Sequence, residues 1–496
     1  MDARDAAPHL PTIARGGPIP GESALVGRGA SPLPGFVKLV QALWQCRDRL
    51  GYARAILDAG CDRCALGPPR HVCAPRLERL RDDTAGGLAP FDVADVHRLR
   101  RLLPADLRAL GRLPYPFARR AGSRGFERIA WPAALELAGG WLRAIPGPRQ
   151  AWLVGRDGST NETLYAFGKA ARALGAAPGL AEGRGTARRA TVALEDIVGA
   201  DLLLQWGIRL GEEHPGARPA LRAANRAGTR IVAIHADGSA SHADDVVRIR
   251  PGGEGALARA IHHLLGTWGV TPEIGGALDP LLDAAGVPYA VVEWVARLVA
   301  RARTGASAWP TRLSSASEEA IVALHDARGW VDRPRCGILP VDEQATWRGA
   351  RDLGMDAGNV VDGDLVVQLG DGPRRERARY RIHVGTHLDP GMLADADEAV
   401  LVLPAQTRFE QKGGGTTTSA DGDVWFTPEI PQISAGDARP GWEIAGLLAA
   451  ATQPELGLAW AESWDVRREI ASTIHGYAGV DRLRAPGDHL RLPVRG

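Results

Sequence analysis

Residues 399–417 read AVLVLPAQTRFEQKGGGTT, which places a short apolar segment, a proline and a glycine-rich loop in one order. The apolar residues 399–403 predict a fully buried β-strand, and Pro404 marks its end. In the loop, Gly413 and Gly414 allow backbone amides to approach a ligand closely, and Glu410 precedes them. This order favours a strand whose following loop holds a large anionic ligand.

The first half of the chain repeats this strand-then-turn pattern. Residues 152–154 predict a buried strand, and a helix is predicted from residue 161 toward 175. Strands at 202–204 and 231–234, with a helix between them, repeat the unit. Short buried strands that alternate with helices are typical of α/β proteins with doubly wound, mostly parallel sheets.

The second half predicts a helical cover at 254–330 and a further α/β unit with strands at 365–367, 382–384 and 399–403. A chain of 496 residues exceeds what one hydrophobic core usually supports, so several domains are expected. The predicted division is a flexible tail at 1–34, a helical Cys-containing segment at 35–133, a first α/β nucleotide-type domain at 134–275, and a helical cover plus second α/β domain at 276–496.

The charge balance excludes some classes of partner. The chain has 60 basic and 58 acidic residues and a net charge of +2, which argues against nucleic acid or a membrane surface as the main partner. No stretch is apolar enough to span a bilayer, and residues 1–34 hold neither a secretory h-region nor a twin arginine. We therefore expect a cytoplasmic protein.

Four of the five cysteines lie close together: Cys46, Cys61, Cys64 and Cys73. So few cysteines in so long a chain cannot form a disulfide framework. Their spacing allows four thiolates to converge on one metal centre, and a zinc knuckle and a four-iron cluster both fit the count.

Polar turns follow the predicted strands. Gly158, Ser159, Thr160, Asn161 and Glu162 stand where a helix N-terminus can bind phosphate, although ordinary helix capping explains the same residues.

The next turns contain Trp206, Gly207, His214, Asp237, Pro251, Gly252 and Glu254. An ordinary turn carboxylate or a helix N-terminal charge would account for Asp237 and Glu254 equally well. We expect residues 159–162, 206–207, 237 and 251–254 to converge at the carboxyl ends of one parallel sheet. In the second half, Gly385, Thr386 and His387 follow a predicted strand in the same way.

This order of motifs, which covers most of residues 40 to 485, resembles the molybdopterin oxidoreductase superfamily and most closely its formate-dehydrogenase-alpha-like branch. The resemblance implies that the turns bind molybdopterin guanine dinucleotide. The residues it assigns to the cofactor are Gly158, Ser159, Thr160, Asn161, Glu162, Trp206, Gly207, His214, Asp237, Pro251, Gly252, Glu254, Gly385, Thr386, His387, Glu410, Gly413 and Gly414. It also implies an iron-sulfur cluster at Cys61, Cys64 and Cys73, because the run Cys64-Ala65-Leu66-Gly67 is similar to the cluster segment of that branch; Cys46 lies outside this pattern.

Two departures from the family pattern bear on activity. Residues 171–195 contain no Cys, His or Ser, although active members ligate molybdenum or tungsten from this segment. We therefore expect a molybdenum site without a cysteine ligand, and formate oxidation that is weak or absent. The family also has a β-rich domain that closes over the cofactor beyond the region similar to 476–479, and we expect that domain to be absent.

The sequence thus predicts a molybdopterin-dependent oxidoreductase homologue that acts on an unidentified small molecule, with an electron-transfer protein or a second subunit as partner. The alternative is a non-catalytic accessory or binding paralogue that kept the scaffold and lost the metal. A zinc-binding structural protein is a third option.

Overall fold

A computed structural model describes residues 54, 58–61, 63–68, 71, 73–156, 159–181, 188–331, 333–355, 363–372, 378–430 and 434–493. The predicted tail at 1–34, Cys46 and Gly158 lie outside the described residues. The chain forms two compact units. Unit 1 contains residues 188–341, and unit 2 contains the described residues before 188 and after 341.

The strands, in chain order, are β1 (Phe117–Arg120), β2 (Glu127–Arg128), β3 (Gln150–Val154), β4 (Ala177–Leu180), β5 (Leu202–Trp206), β6 (Arg230–His235), β7 (Asp245–Arg248), β8 (Gly305–Pro310), β9 (Gly337–Val341), β10 (Leu365–Leu369), β11 (Tyr380–Gly385), β12 (Ala399–Pro404), β13 (Gly415–Thr418), β14 (Asp423–Thr427) and β15 (His489–Arg491).

The α-helices are α1 (Ala74–Asp83), α2 (Val96–Leu99), α3 (Pro104–Ala109), α4 (Trp131–Ala144), α5 (Asn161–Ala173), α6 (Leu210–Glu213), α7 (Arg218–Arg226), α8 (Glu254–Thr267), α9 (Asp279–Ala285), α10 (Tyr289–Arg301), α11 (Ser315–Ala327), α12 (Ala345–Asp352), α13 (Gly441–Thr452) and α14 (Ser463–Thr473). Short 3₁₀ turns lie at Pro90–Val93, Gly147–Arg149, Glu195–Ile197, Pro215–Ala217, Pro454–Leu456 and Val480–Arg482.

Unit 2 is built on a seven-stranded sheet in the order β2-β1-β12-β11-β10-β3-β4. Its five strands from β12 to β4 are parallel, and β1 and β2 extend one edge as antiparallel strands. Strands β3 and β10 are buried along their whole length, as expected for central strands covered on both faces. Helices α4, α5 and α13 contribute Leu142, Phe167 and Leu448 to the core on this sheet.

Unit 1 is built on a five-stranded, entirely parallel sheet in the order β7-β6-β5-β8-β9. The strand order reverses between β5 and β8, so the sheet is doubly wound and has its switch point at their carboxyl ends. Helices α8, α10 and α11 pack on it through Leu257, Val295 and Ile321. The predicted helical cover at 254–330 is thus largely helical, although it also contributes the central strand β8.

A small antiparallel sheet, β13-β14-β15, completes unit 2 and begins at the glycine loop, because Gly415 pairs with Thr427. The predicted α/β class with two α/β units and mostly parallel, doubly wound sheets is confirmed. The segment predicted to be helical at 35–133 contains α1, α2 and α3 but also β1 and β2. Among the described helices, none combines the length and apolarity that crossing a bilayer requires.

Candidate functional site

In unit 1, two residues predicted from the sequence meet at the switch point of the sheet. Gly207 follows β5 with a φ of +63°, and a Cβ added there would lie 3.1 Å from Oε1 of Glu254. Glu254 opens α8 and is buried, and its Oε2 has no hydrogen-bond partner in the part of the chain that the structure describes. The strand end therefore presents a carboxylate with one buried oxygen that lacks a donor among the described residues, and glycine at 207 gives the carboxylate room.

The other predicted residues of unit 1 differ in accessibility. Trp206 is fully buried and donates its indole N–H to Ser307 Oγ at 2.9 Å, so its ring belongs to the core. Asp237 is exposed and shares Arg209 with Glu212, at N–O distances of 3.6 and 3.3 Å. His214 is buried, whereas Pro251 and Gly252 form an exposed turn.

The turn at 159–162 lies in unit 2, at the N-terminus of α5 and on the seven-stranded sheet. The prediction that it converges with the unit 1 turns on one sheet is therefore wrong, because β3, the strand that precedes this turn, pairs with β10 in the seven-stranded sheet and not with β5. The Thr160 hydroxyl caps α5 by accepting from Thr163 N at 3.2 Å. The capping explanation accordingly holds for this residue.

The polar groups of this turn are used within the protein. The Asn161 amide donates to the hydroxyls of Thr416 and Thr418 at 3.1 and 3.0 Å. Glu162 accepts from Thr416 N at 2.9 Å and from Arg467 Nε at 2.7 Å. The turn thus forms a closed buried network with β13 and α14, and these hydrogen bonds compete with any ligand.

The loop after β11 contains Gly385, Thr386 and His387, as predicted. The His387 ring lies 3.0 Å from the Asp82 carbonyl through Nε2 and 3.0 Å from Thr386 Oγ1 through Nδ1. Burial, assisted by nearby arginines such as Arg79, lowers the pKa of His387 to about 3, so the ring is neutral at physiological pH.

The loop after β12 adds Glu410, which forms a buried ion pair with Arg112 and accepts from Thr407 N at 2.6 Å. Burial raises the pKa of Asp389, in the neighbouring loop after β11, and the Asp371 charge adds to the rise. Glu410 Oε1, Thr407 Oγ1 and Asp389 Oδ2 are buried without a hydrogen-bond partner among the described residues. The loops after the paired strands β11 and β12 therefore contain buried polar atoms that could accept or donate further hydrogen bonds.

Gly413 and Gly414 line an open cleft of about 440 Å³ with Phe426, Trp464 and Arg467. Both glycines have positive φ, +84° and +69°. Their amides are engaged: Gly413 N donates to Glu429 at 3.0 Å and Gly414 N to the Gln411 carbonyl at 2.9 Å. The predicted backbone donors of the loop are thus satisfied by the protein itself.

The cysteine segment brings Cys61, Cys64 and His71 together in the interior of unit 2. Their ligand atoms, Sγ of each cysteine and one ring nitrogen of His71, all lie within 4.8 Å of one another. Burial lowers the pKa of His71, but the nearby thiols of Cys61 and Cys73 outweigh it and raise the pKa to about 9. Cys73, also buried, is not among the three residues of this grouping.

Sequence reasoning missed three functional candidates. His71 stands two residues before Cys73, and that spacing was the available signal. Arg112 and Arg467 are buried partners of Glu410 and Glu162, but they are 298 and 305 residues away in sequence. No local sequence pattern indicates ion pairs between residues so far apart.

Comparison with known proteins relates the chain to oxidoreductases. A family model described as molybdopterin oxidoreductase matches residues 112–268. The alpha subunit of F420-dependent formate dehydrogenase 2 from Methanococcus maripaludis is 24% identical over 475 residues, which cover 77% of this chain and 68% of that protein. An uncharacterized oxidoreductase of Mycobacterium tuberculosis is 23% identical over 309 residues, which cover 49% of this chain.

The chain spans 39% of the length of this mycobacterial relative. A solved chain of the formyltransferase/hydrolase complex from Methylorubrum extorquens, crystallised with methylofuran, is 16% identical with a TM-score of 0.46 over 66% of this chain and 97% of that chain. The family model over residues 112–268 and the sequence relatives support assignment of the chain to the molybdopterin oxidoreductase superfamily, the class that the motifs predict.

Proposed function

We propose that the chain is a molybdopterin-dependent oxidoreductase homologue, resembling the formate dehydrogenase alpha subunit, with reduced formate activity. The observation that carries the proposal is the buried Glu254 carboxylate beside Gly207 at the switch point of the unit 1 sheet. Doubly wound sheets bind nucleotides at this place. A carboxylate there can accept from the N1–H and the exocyclic amine of guanine, which matches the guanine end of the proposed dinucleotide.

The donor sets differ in how well they fit the cofactor. Glu254 with Gly207 fits a purine base, and the buried Glu410, Thr407 and Asp389 in unit 2 fit a polar heterocycle such as a pterin. Thr160, Asn161 and Glu162 fit less well because the protein already uses their groups. When bound, the cofactor would supply a redox-active metal through its dithiolene sulfurs.

A partner follows from the same proposal. An oxidoreductase of this class passes electrons onward, and one relative is by its printed name an alpha subunit. We therefore propose an electron-transfer protein or a second subunit as partner, and a small molecule as substrate.

Guanine binding is tested through Glu254. Protein expressed in a host that makes molybdopterin guanine dinucleotide is acid-treated, and released GMP and oxidised pterin are counted per chain. We expect Glu254→Gln to lower the GMP content about tenfold, because loss of a buried charged acceptor costs roughly 1.5–3 kcal/mol. Glu273→Gln, an exposed change in unit 1, is the matched control. Equal GMP in all three proteins, or none in the wild type, contradicts the proposal.

A second candidate, a non-catalytic binding or assembly paralogue, is favoured by the closed network of Asn161, Glu162, Thr416 and Arg467. Formate-dependent reduction of an artificial acceptor, with molybdenum quantified in the same sample, separates the two. Measurable turnover per bound metal supports the enzyme, and pterin-free protein without turnover supports the paralogue. Robust turnover at full occupancy would overturn the expectation of reduced activity.

A further inference from the structure

We propose that Cys61, Cys64, His71 and Cys73 bind a single zinc-type ion and not the four-iron cluster that the family resemblance implies. The ligand atoms of Cys61, Cys64 and His71 lie within 4.8 Å of one another. Ligands about 2.0–2.3 Å from one tetrahedral zinc are separated by roughly 4 Å. Thiolates around a four-iron cube each bind a different iron and so stand farther apart than the ligands of one ion, and the closeness of Cys61 Sγ to Cys64 Sγ therefore favours a single ion.

His71 is oriented as a ligand. Its Nδ1 lies 2.7 Å from the Pro68 carbonyl, which only accepts, so Nδ1 carries the proton and donates. Arg76 Nη1, at 3.1 Å from the same nitrogen, instead donates to the His71 carbonyl at 3.3 Å. With Nδ1 holding its proton, Nε2 is the nitrogen that can bind a metal after it loses its own proton, and Nε2 is buried and has no hydrogen-bond partner among the described residues. A backbone carbonyl that fixes the tautomer is the usual support of a metal-bound imidazole.

The backbone around the cysteine pair forms a tight turn. Arg63 N approaches Cys61 Sγ at 3.5 Å, and Cys61 N donates to the Gly67 carbonyl at 2.7 Å. A Cβ at Gly67 would lie 2.2 Å from the Cys61 Cβ, so this tight turn requires glycine.

Cys73 is not among these three grouped residues, but it is buried and lies two residues after His71, and we assign it as the fourth ligand. Three thiolates and a neutral imidazole around a divalent ion carry one net negative charge, and the guanidinium of the buried Arg76 is placed to balance it. The residues that form the site are buried, which is typical of a closed structural zinc site.

The test begins with composition. The full chain is purified without oxygen, and zinc, iron and acid-labile sulfide are measured. We expect about one zinc per chain without sulfide, as for a four-ligand structural site. Iron with sulfide overturns the proposal, and so does a folded chain without zinc after growth in zinc-supplemented medium.

Cobalt substitution then tests the ligands by a readout that does not depend on activity or on pterin binding. His71→Cys should still bind cobalt and raise the thiolate charge-transfer absorbance by about a third, because four thiolates replace three. His71→Ala should lower metal content by roughly tenfold or more. Cys336→Ser, a buried thiol in unit 1, should leave the spectrum unchanged. A cobalt spectrum that is the same in wild type and His71→Cys overturns the assignment of His71.

Discussion

Arg467 Nε donates to Glu162 Oε1 across 2.7 Å, and the two side chains are 1% and 0% exposed. The remaining Arg467 nitrogens donate to the carbonyls of Leu483 and Gly413 at 2.7 and 3.0 Å. The pair therefore ties the first turn of α5 to α14 and to the glycine loop. A buried pair with this many satisfied groups is costly to break from one side.

Arg467→Met is expected to lower the free energy of unfolding by about 3–5 kcal/mol, because it leaves the Glu162 carboxylate buried without its cation. Urea denaturation of the full chain measures the change. The neighbouring Arg468→Met is the control: Arg468 pairs with Asp465 but is 54% exposed, so its loss should cost at most about 1 kcal/mol. Similar losses in both variants would contradict a special role for the buried pair.

The sequence predicts the local elements well and their partners poorly. Strands such as β5, β6 and β12 are visible because apolar runs ending in turn residues are a local signal. The pairing of β3 with β10 is not visible, because more than half of the intervening chain folds as unit 1 before β10 is reached. For this reason residues 159–162 were assigned to the wrong sheet.

In the candidate sites, too, local features are predictable from the sequence and long-range partners are not. The cysteine pair and Gly207 are recognisable from neighbouring residues, and the structure brings Gly207 to Glu254 as strand-then-turn repetition suggests. The Arg467 that engages Glu162 comes from a distant helix, and only folding reveals that it occupies the carboxylate.

His325 should make unit 1 sensitive to acid. Its Nε2 lies 2.7 Å from Ser307 Oγ, and burial lowers its pKa from 6.5 to about 3, against a smaller opposing effect of the Trp330 backbone. Between these two pKa values His325 is protonated in the unfolded chain but not in the folded chain, so stability is lost as pH falls below 6.5. The contribution is up to about 1.4 kcal/mol per pH unit.

His325→Gln removes this titration. We expect the variant to be less stable than wild type at pH 7 because the Ser307 contact is altered, and the difference to shrink as pH falls to 5. Urea denaturation at both values measures it. A constant difference would show that His325 does not resist protonation in the folded chain.

The stability contribution of Asp389 should change with pH in the direction opposite to that of His325. Burial, with the Asp371 charge second, raises its pKa well above 3.8, so the folded chain keeps a proton that the unfolded chain loses. Its stability contribution is therefore lost as pH rises above 3.8 toward the folded pKa. Asp389→Asn mimics the protonated side chain and still accepts from Gly391 N, a contact of 2.6 Å.

We expect Asp389→Asn to equal or exceed wild type in unfolding free energy at pH 8. Asp395→Asn is the control of opposite sign, because hydrogen bonds from Arg100, then Arg119, lower the pKa of Asp395 despite some desolvation. Asp395→Asn should lower the free energy of unfolding slightly at pH 8 and leave it unchanged in acid. Marked destabilisation by Asp389→Asn at pH 8 would mean that Asp389 is ionised.

Gly414 is the position where the glycine loop tolerates no side chain. It has a φ of +69°, and a Cβ there would lie 2.5 Å from the Thr427 carbonyl oxygen and 2.6 Å from Phe426 Cζ. Gly415 and Thr427 are paired at the start of β13, so the clash cannot be relieved without opening that strand pair. Gly414→Ala should therefore lower the free energy of unfolding by about 3 kcal/mol, the sum of left-handed strain and overpacking.

Gly457→Ala separates the two effects. Gly457 has a φ of +59° with nothing within 4 Å of its added Cβ, so its replacement should lower the free energy of unfolding by only about 1 kcal/mol. Equal costs for the two alanines, measured by urea denaturation, would show that the β13–β14 contact yields to the added methyl group.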